Sequence, residues 1–216
     1  MQRMSTITGL TAGKGRDRRV KVYLDGRLAF SLSAEVVLKE GLCAGQELTE
    51  TDLARLAGAD RRQKCLNSAL RLLAVRPRSE QEIRQRLRRR GFESDYLEKT
   101  IAGLKEKGLL DDVAFARFWQ DNRQSFRPRS RRLTALELRR KGVDGAAIAT
   151  AVSEIDDGEN AYFAASRRAR RLVPSDYQDF RRRLGDYLVR RGFDYDIIQQ
   201  TVDKIWTERG ENATKI

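Results

Sequence analysis

From residue 60 onward, apolar residues recur at helical spacing and keep one register through three successive stretches. Each stretch ends a helix in basic residues, then glycine, then an apolar residue: Arg88-Arg89-Arg90-Gly91-Phe92, Arg139-Arg140-Lys141-Gly142-Val143 and Arg190-Arg191-Gly192-Phe193. Four residues before each glycine stands a leucine (Leu87, Leu138, Leu188). Six after come Leu97, Ile148 and Ile198, ten after come Ile101, Val152 and Val202, and thirteen after come Leu104, Ile155 and Ile205. Positions +6, +10 and +13 share one face of a helix, and the leucine at −4 lies on the core face of the helix before it. The glycine supplies the left-handed residue that closes that helix, while the basic residues oppose its dipole. An internal repeat of this kind predicts a tandem array.

A further helix precedes each pair. Its expected core residues are Leu66, Ala69, Leu70 and Leu73 in the first copy, Phe115, Phe118 and Trp119 in the second, and Tyr162, Ala165, Ala169 and Leu172 in the third. Pro77, Pro128 and Pro174 mark the junction of first and second helices, with Ser79, Ser130 and Ser175 placed to cap the second. Base stacking by the second copy's aromatics is the rival reading, but their helical spacing favours the core.

The first 32 residues alternate instead with period two. Ile7–Leu10, Val20–Leu24 and Leu28–Leu32 read as strands, the last two joined through Asp25-Gly26 in a type I′ turn, with an earlier loop at residues 13–17. Ser33 can cap a short helix to about Lys39 ended by Gly41, and Thr49 or Thr51 can cap another. The fold class expected is mostly α: three tandem three-helix repeats in an elongated curved array, preceded by a small N-terminal module containing a β-hairpin. The divisions are a β-rich module over 1–60, repeats over 61–109, 110–157 and 158–208, and a tail over 209–216. One unit of this size is near the limit for independent folding, so neighbours should support each other.

Charge narrows the function. Lys and Arg number 44 against 31 Asp and Glu, a net +13, and residues 61–110 alone hold 14 basic and 6 acidic groups. Such a surplus suits a polyanionic partner, and arginine suits bidentate contact with phosphate or carboxylate. The first candidate contact cluster is Arg76, Arg78, Arg84, Arg86, Arg88, Arg89 and Arg90. The second is Arg127, Arg129, Arg131 and Arg132. The third is Arg167, Arg168, Arg170, Arg171, Arg181, Arg182 and Arg183. Like charges crowded on a helix repel, so a partner that neutralises them favours their retention.

Catalytic chemistry finds little support. Histidine is absent, which removes the usual general base and the Ser/His and Cys/His pairs. Cys43 and Cys65 are too few for a metal cage and read as reduced thiols. Gly9 to Gly15 falls one residue short of a phosphate loop and puts glycine where the magnesium-binding hydroxyl belongs. The pairs Asp111-Asp112 and Asp156-Asp157 read as helix caps. No catalytic residue, metal site or cofactor is expected. With no apolar run of spanning length and no signal-peptide pattern, a cytoplasmic protein without membrane contact is expected.

The stretch Ala74-Val75-Arg76-Pro77-Arg78-Ser79-Glu80, followed by Ile83, Leu87 and Arg90-Gly91-Phe92, resembles the first-repeat signature of the RecX family. Gly108-Leu109-Leu110-Asp111-Asp112-Val113-Ala114-Phe115-Ala116, continuing through Arg127-Pro128 to Leu136, Leu138 and Lys141-Gly142-Val143, resembles the motif of its second repeat. The resemblance covers about residues 60–207. It implies a non-catalytic monomer that binds the groove of a RecA filament on single-stranded DNA. Such a protein restrains ATP hydrolysis, strand exchange and co-protease activity, and hence recombination and the SOS response. Direct DNA contact through the same arginines stands beside that reading. The alternative is a plain DNA-binding protein with helix-turn-helix-like repeats.

Overall fold

The structure is a computed structural model that describes residues 4–13, 19–174 and 176–213, with side chains described through residue 210. The chain divides into two units, one of residues 1–76 with 83–109, the other of residues 77–82 with 110–216.

The first unit opens with strands β1 (Ser5–Ala12), β2 (Arg19–Leu24), β3 (Arg27–Ser33) and the two-residue β4 (Glu47–Leu48), antiparallel in the order β3-β2-β1-β4. Asp25 and Gly26 both adopt positive φ (50° and 80°), as a type I′ hairpin requires. Gly9 lies within β1; Lys14 to Arg18, and with them most of the predicted loop, fall outside the described residues. Ile7, Val22 and Leu32 bury one face of the sheet against Val36 and Val37 of helix α1 (Ala34–Lys39), Leu48, and Leu56 of helix α2 (Glu50–Leu73).

Helix α2 opens with a capping box in which Thr49 and Asp52 satisfy each other's backbone amides. The Thr49 bonds hold the Asp52 carboxyl below its ordinary pKa. The helix does not stop at residue 60. Its first half closes the sheet core, and its second half buries Cys65, Ser68, Ala69 and Leu72 as the first helix of the first repeat. The expected stripe is therefore displaced: Leu70 is 37% exposed, and the buried positions at i, i+3, i+4 and i+7 begin from Cys65. Helices α3 (Glu80–Arg89) and α4 (Ser94–Glu106) complete this repeat, with Ile83, Leu87, Leu97, Ile101 and Leu104 all buried.

The second unit contains α5 (Asp112–Phe126), α6 (Arg131–Arg140) and α7 (Gly145–Val152), then α8 (Asp157–Ala169), α9 (Tyr177–Val189) and α10 (Tyr195–Ala213). Every repeat position anticipated from the glycine register is buried here: Leu138, Ile148, Val152 and Ile155 in one core, Leu188, Ile198, Val202 and Ile205 in the other. Phe115 is 1% exposed, and Phe118 and Trp119 pack against the same core, so these aromatics are structural.

The glycine turns follow one geometry. Gly91, Gly142 and Gly192 have φ of 80°, 78° and 86°. In each, the amide of the next residue donates to the carbonyl of the leucine at −4, as Phe92 does to Leu87 at 3.3 Å, while the glycine amide donates to the following carbonyl. This is a Schellman closure with its apolar contact.

In the second unit the turns also receive a helix start. The Ser79 hydroxyl donates to the Lys141 carbonyl at 2.6 Å and accepts from the Glu82 amide, and Lys141 pairs with Glu82. The Ser130 amide donates to the Arg191 carbonyl at 3.0 Å, and its hydroxyl accepts from the Leu133 amide. A Cβ on Gly142 would lie 2.4 Å from that of Gln81, and one on Gly192 2.7 Å from that of Leu133. Ser79 and Ser130 thus cap as expected. Ser175 lies outside the described residues, and Asp176 caps α9.

The aspartate pairs divide their labour. Asp111 and Asp156 cap their own helices α5 and α8, while Asp112 and Asp157 accept from the Glu80 and Arg131 amides at the starts of α3 and α6. Burial raises the Asp157 pKa against the opposing pull of Arg131.

Candidate functional site

The predicted arginines separate into three kinds by their surroundings. Some are spent on the fold. Arg78 is 8% exposed. Arg84 pairs with Glu98 at 2.6 Å, Arg90 donates to the Ser68 hydroxyl, and Arg182 and Arg183 both pair with Asp179. Arg131 donates to the Ile155 carbonyl, Arg132 to that of Gly192 at 3.5 Å, and Arg181 to the Tyr195 hydroxyl. Arg129 is held with Arg123 and the Trp119 indole by one carboxylate, Glu137, whose side chain is 12% exposed. Burial lowers the Arg129 pKa despite that partner.

A second kind decorates an exposed face. Arg86, Arg88 and Arg89 of α3 are solvent-exposed, and Arg76 is partly covered.

The third kind converges. Arg127 at the end of α5 and Arg167, Arg168 and Arg171 at the end of α8 line one groove of about 250 Å³, together with Phe126, Pro128, Ala164, Tyr187 and Arg191. No carboxylate lines it, and its four predicted arginines form no ion pair among the described residues. Arg170, next in the sequence, is exposed but does not line the groove.

Local chemistry builds this groove. Pro128 forces the residue before it out of helical conformation, and Arg127 accordingly has φ −147° and ψ 71°. That break lifts Phe126 into solvent at 70% exposure. Ala164 is too small to fill the space facing it. Arg191 anchors one wall by donating to the Pro128 carbonyl at 2.9 Å while its guanidinium lies 4.4 Å from the centre of the Tyr187 ring. Arg168 stacks over the same ring at 5.8 Å.

Part of this positive charge suits the negative end of α8. A dipole worth about half an elementary charge cannot account for so many guanidinium groups at one place. An anion can. Phe126, Tyr187 and Arg191 do not stand out in the sequence, because Arg191 reads there as a helix-end residue and Phe126 as one more helical aromatic.

Models of the RecX family match the chain in order. The regulatory protein RecX N-terminal domain matches residues 5–49, and the first, second and third three-helix domains match residues 65–104, 111–152 and 155–202. The regulatory protein RecX of Clostridium botulinum (strain Alaska E43 / Type E3) is 32% identical over 205 residues, covering 92% of this chain and 95% of its own. The chain belongs to the RecX family. That of Bacillus subtilis (strain 168) is 28% identical over 216 residues, covering 98% of this RecX-family chain and 81% of its own.

Among solved structures, a crystal structure of regulatory protein RecX superposes with a TM-score of 0.68 at 24% identity, over 92% of this chain and 99% of the other. RecX from Lactobacillus salivarius gives 0.58 at 25% identity, over 68% and 97%. The RecX family is regulatory and not enzymatic. Among the described residues no cluster suited to a metal occurs, and no helix is long and apolar enough to cross a membrane.

Proposed function

We propose that this chain is a monomeric cytoplasmic regulator that binds the RecA filament on single-stranded DNA. In that role it lowers RecA's ATPase, strand-exchange and co-protease activities, and so modulates recombination, DNA repair and the SOS response. The observation that carries the reading is the carboxylate-free arginine groove, set on a fold whose family bears a regulatory name. A polymeric, anionic partner meets the same kind of basic surface many times, and tandem repeats gain avidity from such a partner without one strong site. The exposed Arg86, Arg88 and Arg89 offer a second contact face.

The test is RecA's DNA-dependent ATPase with this protein at substoichiometric amounts. Inhibition that persists in a large excess of single-stranded DNA supports filament binding. Inhibition relieved by excess DNA, with a steep dependence on salt, would replace the proposal with simple competition by a helix-turn-helix-like DNA binder.

A further inference from the structure

The groove's lining says more about its ligand than its charge alone. We propose that Phe126, Arg127, Arg167, Arg168, Arg171 and Tyr187 form a binding site for a single strand of nucleic acid, with the guanidinium groups on successive phosphates and an unstacked base against the Phe126 ring.

Three observations separate this from an acidic protein surface. First, the four arginines line one groove that no carboxylate lines, at the ends of α5 and α8, where a backbone carrying a charge on every residue can satisfy them in sequence. Second, Phe126 is 70% exposed and lines the groove together with Pro128, Ala164 and Tyr187. A base needs only one π-face to stack on, and an exposed ring beside cationic groups supplies it. Third, the equivalent position, two residues before the inter-helix proline, is Val75 in the first repeat and Leu172 in the third, 77% and 6% exposed. Of the three, only Phe126 is aromatic, and it lines the arginine groove.

A single strand fits better than a duplex. In a duplex the bases are stacked inward and cannot lie against the Phe126 ring. Arg191 and Tyr187 act as the rigid wall, already engaged with Pro128 and with each other.

This inference deepens the proposed function by naming the groove's ligand, and its binding measurement needs no RecA, so either can fail alone. The experiment is fluorescence anisotropy of labelled oligo-dT with the full chain across a salt series. Phe126→Ala, at an exposed site, should weaken binding by between about fivefold and a hundredfold, the range expected for loss of one stacked base. The double variant Arg167→Ala/Arg171→Ala should reduce the slope of log K against log salt by about 1.4, about 0.7 for each phosphate that is no longer neutralised. Arg117→Ala, exposed on α5 and outside the groove, should change neither. Unchanged affinity in Phe126→Ala, or duplex bound as tightly as oligo-dT, would overturn the proposal. So would groove variants that lose their effect on RecA while binding oligo-dT normally, since that result would make the ligand an acidic protein surface.

Discussion

Asp60 of α2 accepts two hydrogen bonds from Ser33 at the end of β3, from its amide at 2.7 Å and its hydroxyl at 2.8 Å. The carboxylate is 4% exposed and also pairs with Lys64 and Arg19. Burial would raise its pKa, but Lys64, Ser33 and Arg19 outweigh it and the value is lowered.

Asp60→Ala should therefore cost about 2–4 kcal/mol, because the Ser33 groups are deprived of a charged acceptor. The depressed folded pKa also fixes a pH dependence. The contribution is fully present above the unfolded value of about 3.9 and is lost as pH falls through the folded value. Urea titrations from neutral to acidic pH should show Asp60→Asn losing less stability on acidification than the natural chain. Parallel curves would refute this.

The glycine turns should not be equally tolerant. Gly91→Ala meets nothing within 4 Å and carries only the cost of a left-handed alanine, about 1 kcal/mol. Gly142→Ala and Gly192→Ala add collisions with Gln81 and with Leu133 and Ser130, for about 2–4 kcal/mol in total. Thermal melts of the three variants should rank them so; three equal shifts would contradict the close approach.

Removing Glu137 strands several donors at once. Glu137→Ala leaves Arg123, Arg129 and the Trp119 N–H without their shared acceptor and should cost about 3–5 kcal/mol. Denaturant unfolding measures it, and a loss below about 1 kcal/mol would mean that water replaces the carboxylate.

The cysteines should differ in reactivity. Cys43 is exposed and Cys65 buried, neither is in a disulfide, and burial pushes the Cys65 thiol up. A thiol reagent should label Cys43 in the folded chain and Cys65 only after denaturation. Fast labelling of Cys65 under native conditions would show that α2 opens easily.

The repeat is legible from sequence because its signals are local. A left-handed glycine, a leucine at −4 and the next apolar residue form one hydrogen-bonded closure, and all three copies keep it. The stripe on α2 is harder, since Leu66, Leu70 and Leu73 compete with Cys65, Ser68 and Leu72, and only packing decides which face is covered. Ser33 does occupy the N-cap of α1, but it makes no side-chain cap because its hydroxyl goes to Asp60, 27 residues away. The aspartate pairs read as caps of their own helices, yet Asp112 and Asp157 serve the starts of α3 and α6.

For the groove, composition reveals arginine clusters without showing which of them meet. The break at Pro128 brings Arg127 and Phe126 beside the end of α8, a long-range event with no local pattern. Burial of Arg78 and pairing of Arg84 and Arg129 are equally invisible, because the acids concerned lie on other helices or eight or more residues away.

Helix α2 has a consequence for how the first unit comes apart. Since the same 24 residues close the sheet core through Leu56 and the first repeat through Cys65, Ala69 and Leu72, neither can melt without fraying the other's wall. The strands and the first repeat should lose amide-exchange protection together, as one cooperative foldon. A truncation that begins at residue 61 would cut that helix in mid-course, and a shortened protein meant to retain the first repeat is better begun ahead of Thr49.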